Sequence, residues 1–160
     1  MIKVGMLGAG FILASHARSV AAIPGTILST IGDVSTSRAA KALQDFGFRN
    51  VVTSIEAMAV SDCNVVHILL PPSLHERAAR MMIEAGKSVF IEKPYVLDSA
   101  DGNSLADLAE QKCVQIGVNH NFLFGNGYQP LREMVREGGL GRLDAVAIDW
   151  QYQLPFIKHG

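Results

Sequence analysis

The chain is short of cysteine, and neither sign of charge is in excess. Its two cysteines, Cys63 and Cys113, lie far apart and outside any CxxC pair. Neither a disulfide framework nor a zinc site is indicated, and a reducing compartment, the cytoplasm, fits. Lys and Arg number 14 against 15 Asp and Glu, a formal net charge of −1. Without a basic run, a nucleic-acid surface is not expected as the main function. No apolar run reaches the ~18 residues of a membrane helix. Lys3 followed by Val4–Ala14 has the look of a secretory leader, with Ala14–Ala17 near a cleavage site. Gly5, Gly8 and Gly10 interrupt that run, and the elements that follow need it as their first strand. No His, Cys, Asp or Glu cluster has metal-ligand spacing, so no metal is expected.

What the chain has is apolar material in short, punctuated runs. Hydrophobic residues make up 49% of its 160 residues, enough to bury one ordinary core. Ile2–Leu7, Thr26–Gly32, Val51-Val52, Val65–Leu70, Ser88–Ile91 and Val114–Val118 read as strands. Between them Phe11–Ala22, Ser35–Phe46, Ser54–Val60, Leu74–Ala85 and a segment carrying Leu105, Leu108 and Ala109 read as helices. Gly47 and Gly86 stand where a helix ends, and Asp98 or Ser99 can cap the last of these helices. Strands alternating with single helices imply βαβ units, hence an α/β fold with a doubly wound parallel sheet. Their continuous apolar runs suit burial on both faces.

The pattern changes beyond Val118. Tyr128–Glu137 reads as a helix, Gly138–Gly141 as a turn, and Leu143–Leu154 as an alternating, half-exposed strand. Val146, Ile148, Trp150, Tyr152 and Leu154 share one face of it. A boundary near Asn119–Phe124 therefore divides a first domain, residues 1–120, from the beginning of a second, residues 121–160. That second part is expected to be the start of an α+β domain with an open sheet, cut before its partner strands.

Gly8-Ala9-Gly10-Phe11-Ile12-Leu13 is one residue from G-x-G-x-x-G. Gly8 allows a tight turn and Gly10 a close approach of pyrophosphate. The helix opening at Phe11 and Ile12 offers unpaired N–H groups and a partial positive charge. Asp33 lies twenty residues beyond Leu13, at the end of the second strand, where a carboxylate can hold a ribose 2′-hydroxyl. It favours NAD over NADP, while Ser35, Ser37 and Arg38 soften that preference. Leu70, Pro71–Ser73, Glu92-Lys93-Pro94 and Asn119–Asn121 also lie at the ends of expected strands. All should line one edge of the sheet, where ligands of such folds bind. His75 stands in the first turn of a helix on that edge, between a ligand contact and a local structural role. His16 reads as a helix residue near the site, His67 as a hydrogen-bonded core residue, and His120 as either site lining or hinge packing.

These residues resemble the glucose–fructose oxidoreductase/inositol dehydrogenase (Gfo/Idh/MocA) family. The resemblance rests on Gly8-x-Gly10 with His16, on Asp33, on PPSLH at Pro71–His75 and on AGKSVFIEKP at Ala85–Pro94. Asn119-His120-Asn121 and Gly138–Leu143 extend it over nearly the whole chain. Leu13 departs from the family, which usually has Gly or Ala there. The resemblance implies an NAD(P)-dependent oxidoreductase acting on a sugar, cyclitol or related polyol, a homo-oligomer when complete. Lys93 would match the family lysine that contacts substrate and cofactor, and is the expected catalytic residue of this chain. The family's aspartate and acid/base histidine would lie in the second domain; no motif gives His159 that role.

The same residues admit two rival readings. A non-catalytic dinucleotide-binding regulatory module explains the glycine turn but leaves Lys93 idle. A methyltransferase using S-adenosylmethionine gives no reason for Glu92-Lys93-Pro94.

Overall fold

A computed structural model of the chain describes residues 1–149 and 151. The chain forms two compact units, Met1–His120 and Asn121–Gly160.

The first unit is built on six strands, β1 (Ile2–Leu7), β2 (Thr26–Gly32), β3 (Asn50–Val52), β4 (Val65–Ile68), β5 (Ser88–Ile91) and β6 (Ile116–Val118). They lie in the order β3-β2-β1-β4-β5-β6, and every neighbouring pair is parallel. The order reverses between β1 and β4, which opens a crevice at the carboxyl ends of the two strands. The connecting helices are α1 (Leu13–Ala21), α2 (Thr36–Phe46), α3 (Ile55–Ala59), α4 (His75–Glu84) and α5 (Ser99–Gln111). One turn of 3₁₀ helix, Pro72–Leu74, leads into α4.

Successive strand residues point to opposite faces, and two cores result. Val4, Met6, Ile31 and Leu69 pack with Leu13, Ala17 and Val20 of α1 and Ala42 of α2. Leu7, Ile68, Val89 and Ile91 pack with Met58, Met82, Ile83 and Leu105 on the other face. Burying each of these larger side chains is worth ~1.5–3 kcal/mol, so both faces of the sheet are committed.

Local chemistry sets the helix ends. The hydroxyls of Ser35 and Ser54 and the carboxylate of Asp98 accept backbone N–H groups at the starts of α2, α3 and α5. Gly47 ends α2 in the left-handed region (φ 75°). Helix α1 has no side-chain cap; Ile12 occupies that position. It begins two residues later than the apolar pattern predicts, because Phe11 and Ile12 belong to the turn.

The amino-terminal edge of the sheet is tied by charge. Lys87, just before β5, is buried and donates to the carbonyls of Ser61 and Cys63 (2.9 Å to the latter). Asn64 accepts from the Lys3 amide, while Asp62 pairs with Lys3 Nζ and accepts from the Ser29 hydroxyl, each at 2.8 Å.

The second unit contains a 3₁₀ turn at Asn121–Phe124 and α6 (Tyr128–Arg136). The strand expected over Leu143–Leu154 is not formed in residues 143–149. A strand needs a neighbour to receive its N–H and C=O groups, and the described residues supply none here. Trp150, Tyr152, Leu154 and His159 lie outside the described residues.

Candidate functional site

The turn between β1 and α1 is shaped by two glycines with different duties. Gly8 has φ 104°, and a Cβ there would sit 2.6 Å from the Leu69 carbonyl oxygen. Only glycine lets the chain leave β1 this close to β4. A Cβ on Gly10 would meet nothing within 4 Å. Its backbone therefore borders open space. The helical ladder starts with Leu13 N donating to Gly10 O, so the amides of Gly10, Phe11 and Ile12 precede it. With no capping side chain, this end of α1 presents N–H groups and positive dipole to that space. Leu13, in place of the third glycine, points into the core and is 4% exposed.

Asp33 joins the end of β2 to this turn. Its Oδ2 accepts from the Ala9 amide at 2.8 Å; its Oδ1 accepts from the Ser35 amide at 2.7 Å and from Arg38 Nη2 at 2.8 Å. Burial pushes the carboxyl up, but Arg38 and the two amides outweigh it and hold it below its ordinary range. Two lone pairs on each oxygen leave Oδ2 able to accept one more hydrogen bond.

Three loops away from the turn complete the edge. Leu70 and Pro71 follow β4, Glu92-Lys93-Pro94 follow β5, and Asn119 follows β6. The backbone keeps them in register: Glu92 N donates to Ile68 O at 3.0 Å and Asn119 N to Ile91 O at 2.8 Å. Lys93 is exposed. Phe11 is exposed too, and Ile12 is half-buried.

Beneath these loops runs a chain of side-chain hydrogen bonds that the sequence does not show. Asn119 Nδ2 donates to Glu92 Oε1 at 2.5 Å, and His16 Nε2 meets the same oxygen at 2.8 Å. His16 Nδ1 faces His67 Nδ1 at 3.0 Å. Burial drives Glu92 upward, but the bonds from Asn119 and His16 and the charge of His16 hold it below the usual carboxylate range. Burial, with a smaller repulsion from His16, pushes His67 down to about 4. His67 therefore stays neutral, packed with its ring centre 5.0 Å from that of Phe90. His75 is fully buried; Nδ1 lies 2.8 Å from the Pro94 carbonyl oxygen and Nε2 2.8 Å from that of Leu70. Its ring thus faces loop backbone and offers no surface to a ligand. Sequence spacing could not reveal these pairs: His16 and Glu92 stand 76 residues apart, and periodicity reports a face, not a partner.

A parallel sheet in this order, with an uncapped helix over open space at its switch point and a carboxylate ending β2, is a dinucleotide-binding Rossmann domain. The residues present fit the cofactor: the N–H cradle suits pyrophosphate and Asp33 suits a ribose hydroxyl. The chain belongs to the Gfo/Idh/MocA oxidoreductases. The family model described as "Oxidoreductase family, NAD-binding Rossmann fold" matches residues 2–120. Inositol 2-dehydrogenase of Rhodococcus erythropolis is 32% identical over 165 residues, covering 99% of this chain and 46% of that protein. The scyllo-inositol 2-dehydrogenase (NADP(+)) of Bacillus subtilis is 26% identical over 163 residues, 98% of this chain and 44% of that protein. A crystal structure of scyllo-inositol dehydrogenase from Lactobacillus casei with bound NAD(H) and scyllo-inositol superposes with a TM-score of 0.81 at 25% identity, covering 88% of this chain and 42% of that one. The chain spans about half the length of the curated relatives it matches.

Proposed function

We propose that this chain is the cofactor-binding part of an NAD(P)-dependent dehydrogenase that transfers hydride between nicotinamide and a sugar, cyclitol or related polyol. Residues 1–120 hold the dinucleotide, and residues 121–160 begin a C-terminal substrate and oligomerisation domain. The observation that carries the reading is the convergence on one sheet edge of the open turn at Gly10, Asp33 and the Glu92-Lys93-Pro94 loop. The substrate class is supported by the inositol dehydrogenases among its relatives.

Within this reading Gly8 and Gly10 shape the turn, and the amides of Gly10, Phe11 and Ile12 meet the pyrophosphate. Asp33 takes an adenosine ribose hydroxyl through the free capacity of Oδ2. The dinucleotide then crosses the switch point, so its nicotinamide half lies over Leu70, Pro71, Glu92-Lys93-Pro94 and Asn119. Lys93 donates from its ammonium to the nicotinamide ribose or to a substrate oxygen. The bound cofactor supplies the hydride chemistry; the chain's own groups orient it and hold protons. The complete protein works as a cytoplasmic homo-oligomer.

Titration calorimetry with NAD and NADP tests the cofactor assignment. Wild type is expected to bind NAD more tightly. Asp33→Ala is expected to weaken NAD by about 1.5–3 kcal/mol, the worth of a charge-assisted hydrogen bond. Tighter binding of NADP by wild type would overturn the preference, and binding of neither would overturn the reading.

A further inference from the structure

We propose that His16 and His75 are positioning residues for Lys93, each gripping the residue on one side of it. His16 holds Glu92 through its carboxylate at 2.8 Å, and His75 holds Pro94 through its carbonyl oxygen at 2.8 Å. The inference rests on the reading of Lys93 as a nicotinamide-end group.

Lys93 is exposed, with a long, rotamer-rich side chain. Its backbone must therefore be fixed if its ammonium is to act from one place. The sheet fixes it only as far as the Glu92 amide, which donates to Ile68 O. Beyond that point the two histidines hold the residues on either side of Lys93, ahead of the Tyr95 anchor on Gly102, and they arrive from different directions. His16 comes from α1, directly behind the glycine turn, and is 6% exposed. Asn119 joins it on the same Glu92 oxygen, so α1, the end of β5 and the end of β6 meet at one atom. His75 comes from the start of α4. It bridges the Leu70 and Pro94 carbonyls, which locks the loop after β4 to the loop after β5. Both of its partners are carbonyl oxygens, and the ring sets one nitrogen against each. A glutamine in its place can reach only one of them.

A staple that merely stabilises the fold would act alike on every part of the ligand. Positioning of Lys93 acts on the nicotinamide half alone. The test is calorimetric titration of the 160-residue chain with NADH and with ADP, which lacks the distal ribose and the nicotinamide. Lys93→Met is expected to weaken NADH about tenfold and leave ADP unchanged. His16→Gln and His75→Gln are each expected to weaken NADH at least about threefold with ADP unchanged, and to add nothing in the Lys93→Met background. Where a histidine variant does not fold, Glu92→Gln goes through the same cycle from the other side of the contact, and His75→Asn replaces His75→Gln. Equal losses for NADH and ADP, or full losses persisting in the Lys93→Met background, would overturn the positioning role and leave Lys93 at the nicotinamide end. No effect of Lys93→Met on NADH would overturn that reading of Lys93, and the positioning role with it.

Discussion

The two edges of the sheet solve the same problem in opposite ways. Each buries ionisable side chains under loops that need fixing. At the amino-terminal edge Lys87 is spent on the carbonyls of Ser61 and Cys63, and Asp62 and Asn64 close the same loop onto β1 and β2. Those bonds end in backbone or in one another. At the carboxyl-terminal edge the bonds converge on residues flanking an exposed lysine and an open glycine turn. The first arrangement holds a fold; the second holds a fold around a space. Changes at the first edge should therefore cost stability and spare the ligand, and changes at the second should cost ligand affinity as well.

The sharpest way to break this contrast is Lys87→Met, which keeps the length of the side chain and removes the donor from two carbonyls. The expected cost is about 3 kcal/mol in denaturant unfolding, with NADH affinity unchanged once the protein is folded. A variant of normal stability, or one with selectively weakened NADH, would show that the edges are not divided in this way.

The next effect comes from pH. The unfolded His67 has an ordinary value of 6.5 and the folded one about 4, so between these values the unfolded chain binds the extra proton. Stability from a neutral His67 is complete above pH 6.5 and is lost as pH falls toward 4. Between pH 7 and 4.5 the loss is expected to be about 2 kcal/mol, read from urea midpoints. His67→Asn should flatten that part of the profile while leaving the decline below pH 4.5 that belongs to Asp33 and Glu92, whose carboxyls are held low in the folded state.

The smallest effect sharpens the comparison by touching neither edge's network. Cys113 follows α5 with φ 54°, a conformation costly for a residue with a Cβ. Cys113→Gly is expected to raise stability by about 0.5–1 kcal/mol, seen as a higher melting temperature, without altering NADH binding.

How much of this was legible in the sequence follows from the range of each interaction. β1 and β5 run over Ile2–Leu7 and Ser88–Ile91 as read, because apolar runs meet turns sharply at both ends. Ser35, Ser54 and Asp98 act as caps three residues or fewer from their partners, a distance that residue type reports well. Asp33 was legible through its spacing, though not its grip on Ala9 and Arg38. The alternation over 143–149 was real as a pattern, yet pattern alone does not make a ladder. The histidine network was out of reach for a different reason. His67 lies 51 residues from His16, and only the reversal that sets β1 beside β4 brings their elements together.

Between the facing Nδ1 atoms of His16 and His67, 3.0 Å apart, there is room for a single hydrogen. The two rings cannot choose tautomers independently. When His16 is neutral and its Nε2–H points to Glu92, the shared hydrogen belongs to His67. When His16 carries two, the hydrogen is its own, and His67 must keep its proton on Nε2. A gain of charge behind the glycine turn is thus written one strand deeper as the address of a hydrogen, with no heavy atom displaced.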